Sequence, residues 1–274
     1  MEIIAEIGWN HCGNIEIAKQ MAKAAYENGA TYAKYQTWSV DRLKPGSWDE
    51  DGRREIYEKA ELSKEDHIEL IDYCNTIGIK FMSSVFSIPD AELLVELGCS
   101  EVKIPSFESR NHELIEYCIN KFEKIFISFG TCTLNEAIET SKLFRGNEEK
   151  FYPMHCVSTY PLRAKQANVK RINWLALGFG PNIWWPNGIG YSDHMEGVES
   201  AKVAIEVGAK FIEKHFTIDK SLPGRDNKFA CLPKDIKNLK DYITLREEMF
   251  ELNSPNYQQS EEDSRNNYTG RFNG

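Results

Sequence analysis

The sequence lacks the features that mark several large functional classes. No apolar run approaches the roughly 18 residues that a membrane-spanning helix needs, and the opening MEIIAEIGWNH carries glutamates where a secretory signal would carry lysines. Glycine-rich phosphate turns of Rossmann or P-loop spacing do not occur. Acidic residues outnumber basic ones, 42 to 33, and the net charge of −9 argues against a nucleic-acid surface, whose affinity comes from neutralising phosphates. We therefore expect a cytoplasmic protein with neither a membrane nor a nucleic acid as partner.

Cysteine gives no sign of a disulfide framework or a zinc finger. There are seven, an odd number, scattered without metal-finger spacing: Cys12, Cys74, Cys99, Cys118, Cys132, Cys156 and Cys231. A reduced compartment is the simpler interpretation.

The length suits one barrel. The 274 residues are 41% hydrophobic and 27% charged, and a single (β/α)8 barrel takes roughly 250 residues. From about Leu252 the chain becomes polar and rich in asparagine and glycine. We expect an α/β fold of the TIM-barrel type over residues 1–251 and a polar tail or linker over 252–274.

Eight short apolar runs read as buried parallel strands. They are residues 2–8, 32–38, 80–86, 101–106, 124–129, 151–157, 188–193 and 211–217. Amphipathic segments separate most of them, with Asn14 as an N-cap and SKED (63–66) as a capping box that opens a helix to about Thr76. Glycine stands two to four residues before several strands, as at a helix end. An open doubly wound sheet is the main alternative.

Two connections are long. Residues 39–62 follow the second strand, where long loops of a barrel often cover the active site. Residues 163–187, with Trp174, Trp184 and Trp185, precede the seventh strand and read as a helix with an apolar surface patch.

Polar residues recur where the apolar strands end, and the carboxyl ends of barrel strands carry catalysis. The set comprises Glu6, Lys34, Gln36, Ser83, Ser84, Lys103, Ser106, Glu108, Ser128, His155, Ser158, Ser192, Asp193, His194, Glu213 and His215. One such residue is readily explained as a buried hydrogen-bonded group. Because all eight strands end in polar residues, the pattern indicates a polar site.

Two subsets of these polar residues suggest a metal site and an anion-binding site. His194 and His215 end neighbouring strands, roughly 5 Å apart, and we expect them to share a divalent ion, with two separately hydrogen-bonded histidines as the alternative. Lys34 and Lys103, among serine hydroxyls, suit a phosphate or carboxylate. Ion pairing of these lysines with Glu6, Glu108 or Glu213 is one alternative, and a Schiff-base lysine of an aldolase is another.

Seven strings, in order over about residues 2–250, resemble the N-acetylneuraminate (sialic acid) synthase family. They are AEIGWNHCGN (5–14), AKYQTW (33–38), FMSSVFS (81–87), VKIPSFES (102–109), MHCVSTYP (154–161), GIGYSDH (188–194) and EKHFTIDKSLPGRD (213–226). In that family a barrel condenses phosphoenolpyruvate with an N-acetylated amino sugar, such as N-acetylmannosamine, uses a divalent metal and releases phosphate.

The resemblance implies a role for each matching position. His194 and His215 match the metal ligands, for Mn²⁺ or Mg²⁺, and Glu6 and Glu108 match carboxylates that line the site. Gln36, Tyr160 and Asp226 match sugar-contacting positions. The positions that hold phosphoenolpyruvate are Lys34, Ser84, Lys103, Ser106, Ser128, Ser158 and Ser192. A homodimer is a further expectation.

The sequence also departs from the family. Ser158 replaces an asparagine found in some members, and Arg225 stands where proline is usual, next to Asp226. Members usually continue into an antifreeze-like domain whose arginine enters a partner's active site. Arg225 is a candidate substitute for that arginine, or a solvated loop charge. Two other functions stay open: a barrel lyase with Lys103 as Schiff base, and a catalytically silent binding protein.

Overall fold

The structure, a computed structural model, describes residues 1–180 and 186–272. Eight parallel strands pair in chain order, and the eighth pairs with the first, so the sheet is a closed barrel. The strands are β1 (Glu2–Gly8), β2 (Tyr32–Thr37), β3 (Lys80–Val85), β4 (Glu101–Ile104), β5 (Lys124–Phe129), β6 (Phe151–Cys156), β7 (Gly190–Asp193) and β8 (Phe211–His215). The predicted (β/α)8 TIM barrel is confirmed, and the open doubly wound sheet is wrong.

Helices follow the strands in alternation. They are α1 (Ile15–Glu27), α2 (Arg53–Ala60), α3 (Lys64–Ile77), α4 (Ile88–Glu96), α5 (His112–Lys121), α6 (Leu134–Lys142), α7 (Arg171–Gly178), α8 (Glu199–Val207), α9 (Pro233–Met249) and α10 (Glu262–Asn267). The predicted caps are confirmed: Asn14 accepts a hydrogen bond from the backbone of Ile17, and Ser63 and Asp66 form a capping box. Gly78 and Gly208 end α3 and α8 in the left-handed conformation, which a side chain would strain.

The barrel interior is filled below the site by an apolar layer. Its members come from six strands: Ile4, Tyr32, Met82, Phe126, Met154 and Phe211. The ring of Phe126 on β5 lies 5.8 Å from that of Tyr32 on β2 and 5.4 Å from that of Phe211 on β8. Because β5 pairs with neither β2 nor β8, these rings can meet only inside the barrel. The barrel interior is therefore a packed core rather than a pore.

The two long connections differ in position. Residues 39–62 contain two short 3-10 turns and α2, and several of their side chains line the cavity at the carboxyl ends of the strands. Residues 163–187 contain α7, on which Trp174 is 61% exposed, as expected for a helix with an apolar surface patch. Trp184 and Trp185 lie outside the described residues.

The chain divides into two compact units, Met1–Lys240 and Asp241–Gly274. The division falls inside α9, whereas the boundary predicted at residues 251 and 252 lies further along the chain and stays a prediction. In the second unit the only helix that begins after the division is the short, exposed α10, within the described residues. All seven cysteines are described and have free thiols. No helix of the described chain is both long and apolar enough to cross a membrane.

Candidate active site

A cavity of about 1140 Å³ opens at the carboxyl ends of the strands. Thirteen of the fourteen predicted site residues line it: Glu6, Lys34, Gln36, Ser84, Lys103, Ser106, Glu108, Ser128, Tyr160, Ser192, His194, His215 and Asp226. The fourteenth, Ser158, lies just behind, with its Oγ 2.5 Å from Oγ of Ser106. Residues more than 200 positions apart in the sequence therefore meet in one site.

The period of two along each strand explains this convergence. Two residues beyond the apolar layer, five of its strands place a polar or ionisable side chain on the same inner face: Glu6 after Ile4, Lys34 after Tyr32, Ser84 after Met82, Ser128 after Phe126 and Glu213 after Phe211. The floor of the site is thus a second inward-facing layer built directly on the core.

Charged groups at the floor form one buried network. Lys34 Nζ lies 2.6 Å from Oε2 of Glu6 and 3.5 Å from Oε2 of Glu213. Lys103 Nζ lies 3.4 Å from both carboxylate oxygens of Glu213. The ion pairs expected as an alternative for the lysines therefore exist with Glu6 and Glu213, and the two positive and two negative charges balance.

Burial and charge shift the pKa values in this network. Burial alone would raise the pKa of Glu213, but Lys103 and Lys34 outweigh it and lower that pKa to about 2. Burial lowers the pKa of Lys103, only partly opposed by Glu213. Burial also acts to lower the pKa of Lys34, yet Glu213 and Glu6 together raise it above its usual value. Glu213 therefore stays ionised between Lys34, whose pKa is raised, and Lys103, whose pKa is lowered.

Serine hydroxyls surround the lysines. Lys34 Nζ donates to Oγ of Ser84 at 2.9 Å, and Oγ of Ser192 donates to Oε1 of Glu213 at 3.0 Å. Ser106 and Ser158 share a hydrogen bond beside Gly130. A Cβ added at Gly130 would lie 2.5 Å from Oγ of Ser158 and 2.7 Å from Cβ of Ser106, so this position must be glycine for the two hydroxyls to meet.

His194 and His215 lie side by side, with ring centroids 5.4 Å apart. Nδ1 of His194 donates to the carbonyl of Val157 at 2.7 Å, because a carbonyl oxygen can only accept. Nε2 of His194 is therefore the unprotonated nitrogen of the neutral ring. Burial and the nearby His215 lower the pKa of His194 to about 3, which keeps the ring neutral.

This histidine pair partly fits a divalent metal. A backbone carbonyl that fixes the tautomer of a ligating histidine is the usual arrangement around metals. In the described part of the chain, however, no group of three or more histidine, cysteine, aspartate or glutamate side chains is placed to hold an ion. A metal here would take two protein ligands and complete its shell with water or substrate oxygens.

The predicted sugar-contacting residues contact Glu6 and the two histidines. Nε2 of Gln36 donates to Oε1 of Glu6 at 2.6 Å, and Asp226 Oδ2 lies 3.6 Å from Nδ1 of His215. The ring of Tyr160 lies 4.1 Å from that of His194. Glu108, in the turn after β4, accepts a hydrogen bond from Asn111 at 2.9 Å. These groups present carboxylates, an amide and a phenol to the same cavity.

Besides Ser158, three polar residues of the strand-end set do not line the cavity. Ser83 bonds Thr37 at 2.6 Å, His155 donates from Nε2 to the carbonyl of Ala167 at 2.8 Å, and Asp193 pairs with Lys214 at 2.9 Å. Their placement in the site was wrong because each neighbours an inward-facing residue and so faces the helices. The alternation of side-chain faces along each strand excludes these three residues from the inner face.

The sequence analysis also missed lining residues. Trp9, Trp38 and Tyr57 form an aromatic wall, with Trp9 and Tyr57 centroids 5.0 Å apart and Trp38 edge-on to both. Five cationic side chains line the outer part of the cavity: Arg42, Lys44, Arg53, Arg225 and Lys228. Among these, Arg225 is exposed and adjoins Asp226. No local pattern identified the wall or the cations.

The fold and this cavity define a (β/α)8 barrel with an ionised polar site, and comparison with known proteins agrees. Residues 21–253 match the model of the NeuB family. The chain is 38% identical over 253 residues to N,N'-diacetyllegionaminic acid synthase of Legionella pneumophila, covering 86% of this chain and 69% of that protein. It is 32% identical over 259 residues to pseudaminic acid synthase of Campylobacter jejuni, covering 89% and 73%.

A solved structure is similar over nearly the whole chain. It is the N-acetylneuraminic acid (sialic acid) synthetase of Leptospira borgpetersenii in complex with citrate, with 28% identity and a TM-score of 0.83 over 96% of this chain and 89% of that one. The chain belongs to the NeuB family. The resemblance stated from the sequence is thereby confirmed.

Proposed function

We propose that this protein condenses phosphoenolpyruvate with an N-acetylated amino sugar, such as N-acetylmannosamine, and releases phosphate to give a nonulosonic acid. The relatives are named as synthases of three such acids, legionaminic, pseudaminic and N-acetylneuraminic acid. The observation that carries the proposal is the convergence of Lys34 and Lys103 on Glu213 within a ring of serine hydroxyls.

We call Lys34 and Lys103, with the serine hydroxyls around them, the lysine cradle. This cradle suits phosphoenolpyruvate, which carries a phosphate and a carboxylate. Two ammonium groups supply charge-assisted hydrogen bonds, and the hydroxyls of Ser84, Ser106 and Ser192 supply neutral ones. Because Glu6 and Glu213 balance the two lysines, a multiply charged anion needs more positive charge. A divalent ion at the histidine pair would add it, and the cations at the mouth would attract the anion from solution.

The reaction forms one carbon–carbon bond and breaks one carbon–oxygen bond. The enol carbon of phosphoenolpyruvate attacks the aldehyde carbon of the open-chain sugar, whose oxygen takes a proton. Water adds to the electron-poor carbon that bears the phosphate and loses a proton. The bond from that carbon to the phosphate oxygen then breaks, the new hydroxyl gives its remaining proton to the departing phosphate, and a keto group remains. Holding both substrates in one cavity supplies much of the rate acceleration.

A carboxylate of this chain takes the proton from water. Glu6 is held through both oxygens, by Gln36 at Oε1 and by Lys34 at Oε2, which fixes the position of its carboxyl group in the cavity. Glu108 lies nearer the mouth and is held by Asn111 through one oxygen. Either group meets the requirement that a general base be positioned in the cavity.

His194 and His215 would hold the divalent metal. The ion would be Mn²⁺ or Mg²⁺, and both favour oxygen ligands, which water and substrate would supply. The ion would act as a Lewis acid on the sugar aldehyde. Tyr160 packs on His194 and Asp226 lies beside His215. These two residues would bind the acceptor sugar next to the histidine pair. A cytoplasmic location and a homodimer stay predictions.

The test is phosphate release from phosphoenolpyruvate, measured with a panel of N-acetylated hexosamines and with Mn²⁺ or Mg²⁺. Release that depends on both a sugar and phosphoenolpyruvate supports the proposal. Release without sugar, or none with any sugar, contradicts it.

One observation favours a second candidate, a lyase that forms a Schiff base on Lys103. Burial lowers the pKa of this lysine, as nucleophilic lysines require. Borohydride with a keto acid substrate would then trap a covalent adduct, which Lys103→Met would abolish. The proposed condensation forms no adduct.

A further inference from the structure

Trp9 and Asp226, in the loops after the neighbouring strands β1 and β8, are joined beside the cavity although 217 positions separate them in the sequence. Nε1 of Trp9 donates a hydrogen bond to Oδ2 of Asp226 at 2.7 Å. Trp9 directly follows β1, and Asp226 begins a short 3-10 turn after β8. Both side chains line the cavity.

This bond fixes the orientation of the Asp226 carboxylate. Oδ2 is engaged by Trp9 and lies 3.6 Å from Nδ1 of His215. Within residues 1–180 and 186–272, Oδ1 of Asp226 has no hydrogen bond. A carboxylate that is held through one oxygen leaves the other to accept a hydroxyl of a ligand.

The ring of Trp9 also provides an apolar surface next to that oxygen. Its centroid lies 5.0 Å from that of Tyr57 and 6.3 Å from that of Trp38, and all three rings line the cavity. A sugar offers hydroxyls at its edge and C–H groups on its face. An oriented carboxylate beside an aromatic face recognises both kinds of group at once.

We propose that Trp9 is a positioning residue that determines how the acceptor sugar binds. Its indole N–H holds Asp226 so that Oδ1 accepts an acceptor hydroxyl, and its ring packs on the adjoining C–H face. This inference rests on the proposed function. It makes Trp9 a determinant of acceptor affinity and not of phosphoenolpyruvate affinity, because the lysine cradle lies at the barrel floor.

The experiment compares Trp9→Phe, which keeps an aromatic ring and removes the N–H, with Trp9→Leu, which removes both. The acceptor is the sugar that gives most phosphate release in the hexosamine panel. For Trp9→Phe we expect the acceptor KM to rise roughly tenfold, the effect of losing a hydrogen bond to a charged group. The KM for phosphoenolpyruvate stays within about twofold of wild type, and Trp9→Leu raises the acceptor KM further.

Two tryptophan variants control for loss of an indole. In the described chain Nε1 of Trp38 has no hydrogen-bond partner, so Trp38→Phe changes the acceptor KM less than Trp9→Phe does. Trp174→Phe alters only an exposed indole on α7. Calorimetric binding of the acceptor in the absence of phosphoenolpyruvate gives a second readout, in which Trp9→Phe weakens the Kd.

Four outcomes decide the question. A selective rise in the acceptor KM, with an unchanged thermal midpoint, supports the inference. An unchanged acceptor KM, or equal rises for both substrates, overturns it while the proposed function stands. Equal effects of Trp9→Phe and Trp38→Phe also overturn it. Absence of sugar-dependent phosphate release by wild type overturns the proposed function and this inference with it.

Discussion

Asp193 and Lys214 form a buried ion pair directly next to the two candidate metal ligands. Lys214 Nζ lies 2.9 Å from Oδ2 of Asp193, and the two residues are paired in register between β7 and β8. Lys214 also donates to the carbonyl of Met195 at 2.5 Å. The residues that follow, His194 and His215, face the cavity, so the ion pair on the outer face fixes the strand ends that carry both histidines.

Removing one partner of this pair leaves an unpaired buried charge. We therefore expect Lys214→Met to lower the free energy of unfolding by about 3–5 kcal/mol, measured by urea denaturation. Lys220→Met is the control, because the ion pair of Lys220 with Glu196 is exposed and stabilises little. Equal losses of unfolding free energy in the two variants would show that the buried pair stabilises the fold no more than the exposed pair does.

The proposed metal site is tested at its two histidines. We expect His215→Ala and His194→Ala to lose bound Mn²⁺ and turnover, because two-ligand sites do not survive the loss of one ligand. Bound metal is measured by elemental analysis after gel filtration, and activity by phosphate release after chelation and re-addition of metal. His112→Ala, an exposed histidine on α5, keeps both. Full activity after exhaustive chelation would sink the metal prediction.

We predict that Lys34 and Lys103 determine the affinity for phosphoenolpyruvate. Lys34→Met and Lys103→Met each remove a charge-assisted contact, and we expect a loss of about 2–3 kcal/mol in kcat/KM for phosphoenolpyruvate. The acceptor KM changes much less. Lys142→Met, in an exposed pair with Glu139 on α6, is the control. Unchanged kinetics for phosphoenolpyruvate in both cradle variants would refute the assignment.

Acid stability provides a test of His155, one of the buried histidines that do not line the cavity. Burial lowers the pKa of His155 to about 4, below the ordinary 6.5, so the unfolded chain binds more protons between these values. The stability that depends on a neutral His155 is therefore fully present above pH 6.5 and is lost as the pH falls toward 4. Urea denaturation between pH 4 and 7 should show a shallower fall for His155→Gln. Identical slopes for wild type and variant would contradict this origin of the acid sensitivity.

Much of the fold and of the candidate site can be predicted from the sequence, because successive side chains of a strand point to opposite faces of the sheet. Ile4 and Glu6, or Phe211 and Glu213, reveal an apolar floor and a polar layer in one short string. The same rule was overlooked at His155, which faces the helices. The bond between Trp9 and Asp226 joins loops whose course depends on the whole barrel, so no local pattern predicts it.

The central claim, condensation with cleavage of the carbon–oxygen bond of phosphoenolpyruvate, is tested most directly by isotope labelling. Wild-type protein, phosphoenolpyruvate and the accepted sugar are incubated in ¹⁸O-water, and the released phosphate is analysed by mass spectrometry. The account predicts phosphate without ¹⁸O, since water adds to carbon and phosphate leaves with its bridging oxygen. One ¹⁸O atom per phosphate, formed with or without sugar, would mean that water attacks phosphorus and would contradict the account.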